Sequence, residues 1–131
     1  MLERIPAEGP LLALLLAGAD DPSETTFPTP HDLTLQVGFV VYPAGGEIAR
    51  HEHRPLERHV VGTPEALVVR SGRCEIDLYD HDRRQVATRE LRAGDVILIV
   101  GGGHAFRMLE DTVLLEVKQG PYTGVDEKER F

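Results

Sequence analysis

From Asp32 to Val117 apolar residues recur at alternate positions in short runs, interrupted by turn-forming residues roughly every 8–12 positions. In the first run Leu33, Leu35, Val37, Phe39 and Val41 alternate with Thr34, Gln36, Gly38 and Val40, and a second run follows Pro43-Ala44-Gly45-Gly46 and reaches His53. Residues 67–70 and 74–80 predict a hairpin across Ser71-Gly72-Arg73. A turn at 81–84 leads to a strand over 86–91, and Ala93-Gly94 turns into the apolar run 96–100. Gly101-Gly102-Gly103 then opens a strand over 104–109, and a turn at Glu110-Asp111 precedes the last, 112–117. Some eight short strands without long helices between them predict an all-β fold, an antiparallel sandwich or small barrel, and argue against a parallel α/β sheet.

The first thirty residues follow another pattern. Pro6, Pro10, Pro22, Pro28 and Pro30 leave room for one short helix over 11–17, stopped by Gly18 and Asp20-Asp21-Pro22. This gives an N-terminal extension (1–30), a β-domain (31–120) and a C-terminal tail (121–131), whose charged stretch Asp126-Glu127-Lys128-Glu129-Arg130 is most simply a solvated end. The extension would cover one end of the core or pack on a partner subunit.

Composition narrows the function classes. A net charge of −8, with no basic stretch, argues against nucleic acid as a partner. Cys74 is alone, so neither an intramolecular disulfide nor a cysteine-based zinc finger can form. The longest apolar run, residues 11–19, is about half a membrane span, and Glu3, Arg4 and Glu8 before it do not resemble the start of a signal peptide. A cytoplasmic protein with no membrane partner is the expectation.

Six histidines carry the candidate chemistry: His31, His51, His53, His59, His81 and His104. His51 and His53 are two apart on an expected strand, so their imidazoles would leave the same face and could share one divalent metal. Gly45 lies six residues before His51, Glu65 starts the run Glu-Ala-Leu-Val-Val-Arg-Ser-Gly that ends at Gly72, and a second block runs from Gly94-Asp95 to Gly103-His104. These two blocks resemble the two motifs of the cupin superfamily. The resemblance implies a cupin-type jelly-roll antiparallel β-barrel, with a metal inside it held by His51, His53, Glu65 and His104. The chain departs from the family pattern in three ways. Eleven residues separate His53 from Glu65 where the family has three or four; Glu57 meets the short spacing but lacks the strand-then-glycine continuation that follows Glu65. The second block is one residue short and lacks its proline, and Met108 stands where asparagine is usual. Glu57 and Glu65 thus remain alternatives for the carboxylate ligand.

A divalent ion (Zn, Mn, Ni or Fe) with three imidazoles and one carboxylate would leave coordination positions open for a small-molecule substrate. Such a centre suits an isomerase or epimerase acting on a sugar-like or keto/hydroxy substrate. The alternatives are an Fe(II)-dependent dioxygenase and a non-catalytic metal or small-ligand binding module. Glu116 and Lys118 share one face of the final strand; facing inward they would be base and acid, facing outward solvated decoration. His59, in the loop before Glu65, is a candidate ligand or proton shuttle, Tyr122 a candidate residue at the mouth, and Arg70 a candidate anion holder. The resemblance and the N-terminal extension together make a homodimer the expectation.

Overall fold

In β3 (Glu65–Ser71) Glu65, Leu67 and Val69 are buried while Ala66 and Val68 are half-buried, and in β4 (Arg73–Tyr79) Cys74, Ile76 and Leu78 are buried between half-buried neighbours. The period of two gives each strand one face for the core. A computed structural model describes residues 2–124 and 127–131. The remaining strands are β1 (Leu2–Ile5), β2 (Ala13–Leu16), β5 (Gln85–Arg92), β6 (Val96–Ile99), β7 (Gly103–Met108) and β8 (Val113–Lys118). They form a five-stranded sheet in the order β1-β2-β6-β3-β8 and a three-stranded sheet in the order β5-β4-β7, with every pairing antiparallel.

The two sheets share one core. Ile5, Ala13, Leu67, Val69, Ile97 and Ile99 of the larger sheet pack with Cys74, Ile76, Leu78 and Leu91 of the smaller. At the β1/β5 side the layers are tied by an ion pair, Arg89 Nε to Glu3 Oε1 at 2.8 Å. The β7/β8 side is open: no strand joins these two edges, and the sheets do not close into a barrel. Among the described residues no helix is long and apolar enough to cross a membrane.

Three expectations are corrected. The helix expected over 11–17 is β2, paired with β1 on one side and β6 on the other. A short leucine-rich run fits both periods, and the ladder with β6 decides it, because pairing supplies partners for both edges of its backbone. Gly18 terminates no helix; a Cβ there would lie 2.3 Å from the Gly94 carbonyl carbon, so the missing side chain lets two backbones meet.

The hairpin expected across Gly72 is instead a crossing between sheets, since β3 pairs with β6 and β8, and β4 with β5 and β7. Both strands already have two neighbours, so no ladder is left for them to share. Gly72 has φ +85°, and a Cβ would sit 2.2 Å from the Asp111 carbonyl oxygen, which explains why a glycine stands at this crossing.

The strands expected over 33–41 and up to His53 do not form. Residues 17–64 contain no strand, only an isolated bridge between Thr26 and Phe39. The alternation survives as a burial pattern, with Leu33, Leu35, Val37, Phe39 and Val41 half-buried between exposed neighbours, but a strand also needs a partner edge. The count of eight strands agrees with expectation only because residues 2–16 contribute two and residues 31–53 none. Residues 2–5 and 13–16, placed in the extension by the sequence, belong to the main sheet.

Candidate functional site

The inward rows of the larger sheet place the site. One row crosses Ile5, Ala13, Ile99, Glu65 and Lys118, and the next crosses Leu15, Ile97, Leu67 and Glu116. Register partners in an antiparallel pair point to the same face. Glu65, Glu116 and Lys118 therefore share the face that carries Ile97 and Ile99, with Lys118 half-buried and Glu116 exposed at the sheet's edge. Across the layer, His104 is the register partner of Leu78, which is fully buried. Gln119 N–H donates to the Pro64 carbonyl at 3.1 Å and extends the β3/β8 ladder past Glu65.

Aliphatic side chains fill the core up to this end of the open side, where polar groups replace them. Glu65 is 8% exposed, and its Oε2 lies 3.8 Å from His104 Nε2. Burial raises the Glu65 carboxyl from its usual 4.5 to about 7; the adjacent Glu116 carboxyl adds to the rise by hydrogen bonding and by charge, while Lys128 and Lys118 oppose it. Burial also lowers the His104 pKa; Glu116 opposes this shift and Lys128 reinforces it. Near neutral pH the site thus holds an uncharged imidazole beside two carboxyls, one of which retains its proton about half the time.

Glu65 and His104 are brought together, with Glu116 and Lys118 beside them. His51 and His53 are next to each other, ring centroids 5.4 Å apart, on the exposed segment before β3, and His51 Nδ1 contacts the Ala49 carbonyl at 2.9 Å. Glu57 and His59 are exposed on the same segment, and Arg70 is exposed on β3. Among the described residues no three histidine, cysteine or acidic side chains are arranged to hold a metal ion. Of the four expected ligands, Glu65 and His104 lie together, while His51 and His53 lie on the exposed segment before β3.

Tyr122 lies past β8, its ring centroid 5.5 Å from Lys118 Nζ. The sequence did not single out Lys128. Its charge acts on both Glu65 and His104, so the end of the chain is part of this site. Val125 and Asp126 fall outside the described residues; in the rest of the tail Glu127 pairs with Lys118, Glu129 with Arg83 and Phe131 meets Tyr79, while residues 128–131 remain exposed to solvent. Nothing in its run of charges signalled this, since a charged run reads the same whether solvated or docked. Comparison with protein-family models, curated proteins and solved structures gives no match to this chain.

Proposed function

We propose that the protein is an isomerase or epimerase that moves a proton on a small oxygenated substrate, sugar-like or keto/hydroxy, at Glu65, Glu116 and His104. The observation that carries this reading is the buried Glu65 carboxyl, held near pH 7 beside a second carboxyl and a neutral imidazole. A group that titrates near the working pH can both take and return a proton. The carboxyl pair would remove the proton from the carbon next to the substrate carbonyl. The proton would exchange with solvent while on the carboxyl, and a solvent-derived proton would then be delivered to the neighbouring carbon in an isomerisation, or, once the planar intermediate has turned, to its opposite face in an epimerisation. His104 would donate to or accept from the substrate oxygen as its charge changes, and burial would strengthen that hydrogen bond.

The resemblance to cupins supports a divalent metal (Zn, Mn, Ni or Fe) at Glu65 and His104. Bound there, it would polarise the substrate carbonyl. His51 and His53 would complete its ligand set only in an arrangement that moves their segment, so no step above passes through it. A homodimer is part of the same proposal: residues 33–41 keep a strand's alternation without a ladder, and β7 and β8 each leave one edge unpaired among the described strands.

The test is proton exchange. Protein supplied in turn with each of the four metals is incubated in deuterium oxide with a panel of aldoses, ketoses and hydroxyketones, and loss of substrate C–H signal is followed by NMR. Exchange on at least one substrate, slowed at least about a hundredfold by Glu116→Gln, is expected. No exchange across the panel, or full exchange in Glu116→Gln, refutes the reading; oxygen uptake by the iron-loaded protein in its place assigns the site to dioxygenase chemistry.

A further inference from the structure

The C-terminal residues form a strap beside the open end of the sheets. Glu127 Oε2 pairs with Lys118 Nζ at 3.6 Å, and Glu129 Oε2 pairs with Arg83 Nη2 at 3.2 Å. The ring of Phe131 meets Tyr79 edge-on with centroids 5.2 Å apart, and the Arg83 guanidinium lies 4.9 Å from its centroid. Gly103 makes room for it: a Cβ there would fall 2.7 Å from Phe131 Cζ. Lys128 is held between the first two of these pins.

Under the strap is a cavity of about 220 Å³ lined by Lys118, Tyr122, Gly124, Glu127, Lys128 and Arg130. It adjoins the Glu65 site, because Lys118 on its wall is the register partner of Glu65. Three cations surround it in a chain whose net charge is −8. Among the described lining residues Glu127 is the one carboxylate, and it is engaged with Lys118 and with the Thr123 N–H at 3.2 Å. Among the described residues neither Lys128 nor Arg130 is within 4.0 Å of an acidic partner. Two mobile point charges and one planar guanidinium fork are the donor set suited to an oxyanion. At roughly 30 Å³ per water, the volume is that of about seven waters, enough for a phosphate or a short-chain acid.

We propose that Lys118, Lys128 and Arg130 form a subsite for the oxyanion group of the substrate, a carboxylate or phosphate, so that the molecule acted on is a small acid or a phosphorylated sugar anchored by its charged end beside Glu65. The proposal deepens the proton-transfer reading above and names its substrate class, but the subsite's test does not depend on that reading.

Amide NMR titrations at constant ionic strength, with inorganic phosphate and with malonate as separate probes, measure the subsite directly. Saturable shifts confined to the strap, Lys118 and its strand neighbours are expected with at least one probe, and which probe saturates tells phosphate from carboxylate. Lys128→Gln and Arg130→Gln each weaken that binding about tenfold, Phe131→Ala weakens it by unpinning the strap without removing a charge, and Arg54→Gln on the exposed segment leaves it within twofold. No saturation with either probe, or affinities within twofold of wild type in both Lys128→Gln and Arg130→Gln, overturns the proposal. Glu65→Gln separates the two readings, because it abolishes proton exchange if that reading holds and retains the anion in either case.

Discussion

Replacing Glu65 by glutamine should stabilise the metal-free protein at alkaline pH, and the size and pH window of the effect follow from its surroundings. Below pH 4.5 the carboxyl is protonated in the folded and unfolded chain alike, so its burial carries no ionisation penalty. Between 4.5 and about 7 the unfolded chain releases the proton while the folded one retains it, and stability falls as pH rises. Above about 7 the whole cost is present and constant. At about 1.4 kcal/mol per pH unit the ceiling is ~3 kcal/mol. The substitution keeps the volume and removes the charge that burial and Glu116 oppose, so Glu65→Gln should exceed wild type by about 1–3 kcal/mol at pH 8 in the presence of a chelator, with the gap closing by pH 4.5. Urea unfolding followed by far-ultraviolet circular dichroism is the assay, since the chain has three tyrosines and no tryptophan to report. Taking the difference between the two proteins cancels the titrating groups that do not face Glu65, leaving Glu65 and its neighbours Glu116 and His104. A gap that does not change with pH, or a wild type that is the more stable at pH 8 in chelator, refutes the placement of Glu65 as a buried, charge-opposed carboxyl.

Gly72→Ala should destabilise by more than the roughly 1–3 kcal/mol that a left-handed backbone costs a non-glycine residue, because the new Cβ also overlaps the Asp111 carbonyl; a loss below about 0.5 kcal/mol in urea unfolding would show that the β3-to-β4 crossing is not as tight as described. Light scattering should give twice the chain mass of 14.5 kDa, and substituting Val37 and Phe39 together by lysine should give a monomer with its sheet signal intact; a wild-type monomer refutes the proposed pairing through residues 33–41.

The open side of the sandwich links fold and site. Glu3 and Arg89 close one margin with a charged pair, while at the other the inward rows of β8 and β7 end in Glu116, Lys118 and His104. Had another strand covered β8, Glu116 would need a partner deep in the layer. At an open margin it can influence Glu65 while remaining accessible to a substrate. The same margin receives the C-terminal strap, so the chemistry and the cation cluster occur at one end for a single structural reason.

The alternation of residues 65–117 determined by itself that this chain is all-β and antiparallel, because a strand with one face on a core must repeat every two residues, and that repeat is written in Leu67, Val69, Cys74, Ile76 and Leu78. Glu65 and His104 stand out through the resemblance of two glycine-anchored blocks to the cupin motifs, and Glu116 and Lys118 through two charges at alternate positions of an apolar strand, which leaves their face open. Pairing was beyond the reach of the alternation. Gly72 permits a hairpin or a crossing with equal ease, residues 13–16 fit a helix or a strand, and residues 33–41 alternate whether or not an edge is free to take them. Those choices depend on which backbone edges remain available once the other strands have formed. The strap depends on tertiary structure more completely still: Lys128 and Phe131 acquire a role only because Lys118, Arg83 and the bare backbone at Gly103 lie where the folded sheets put them.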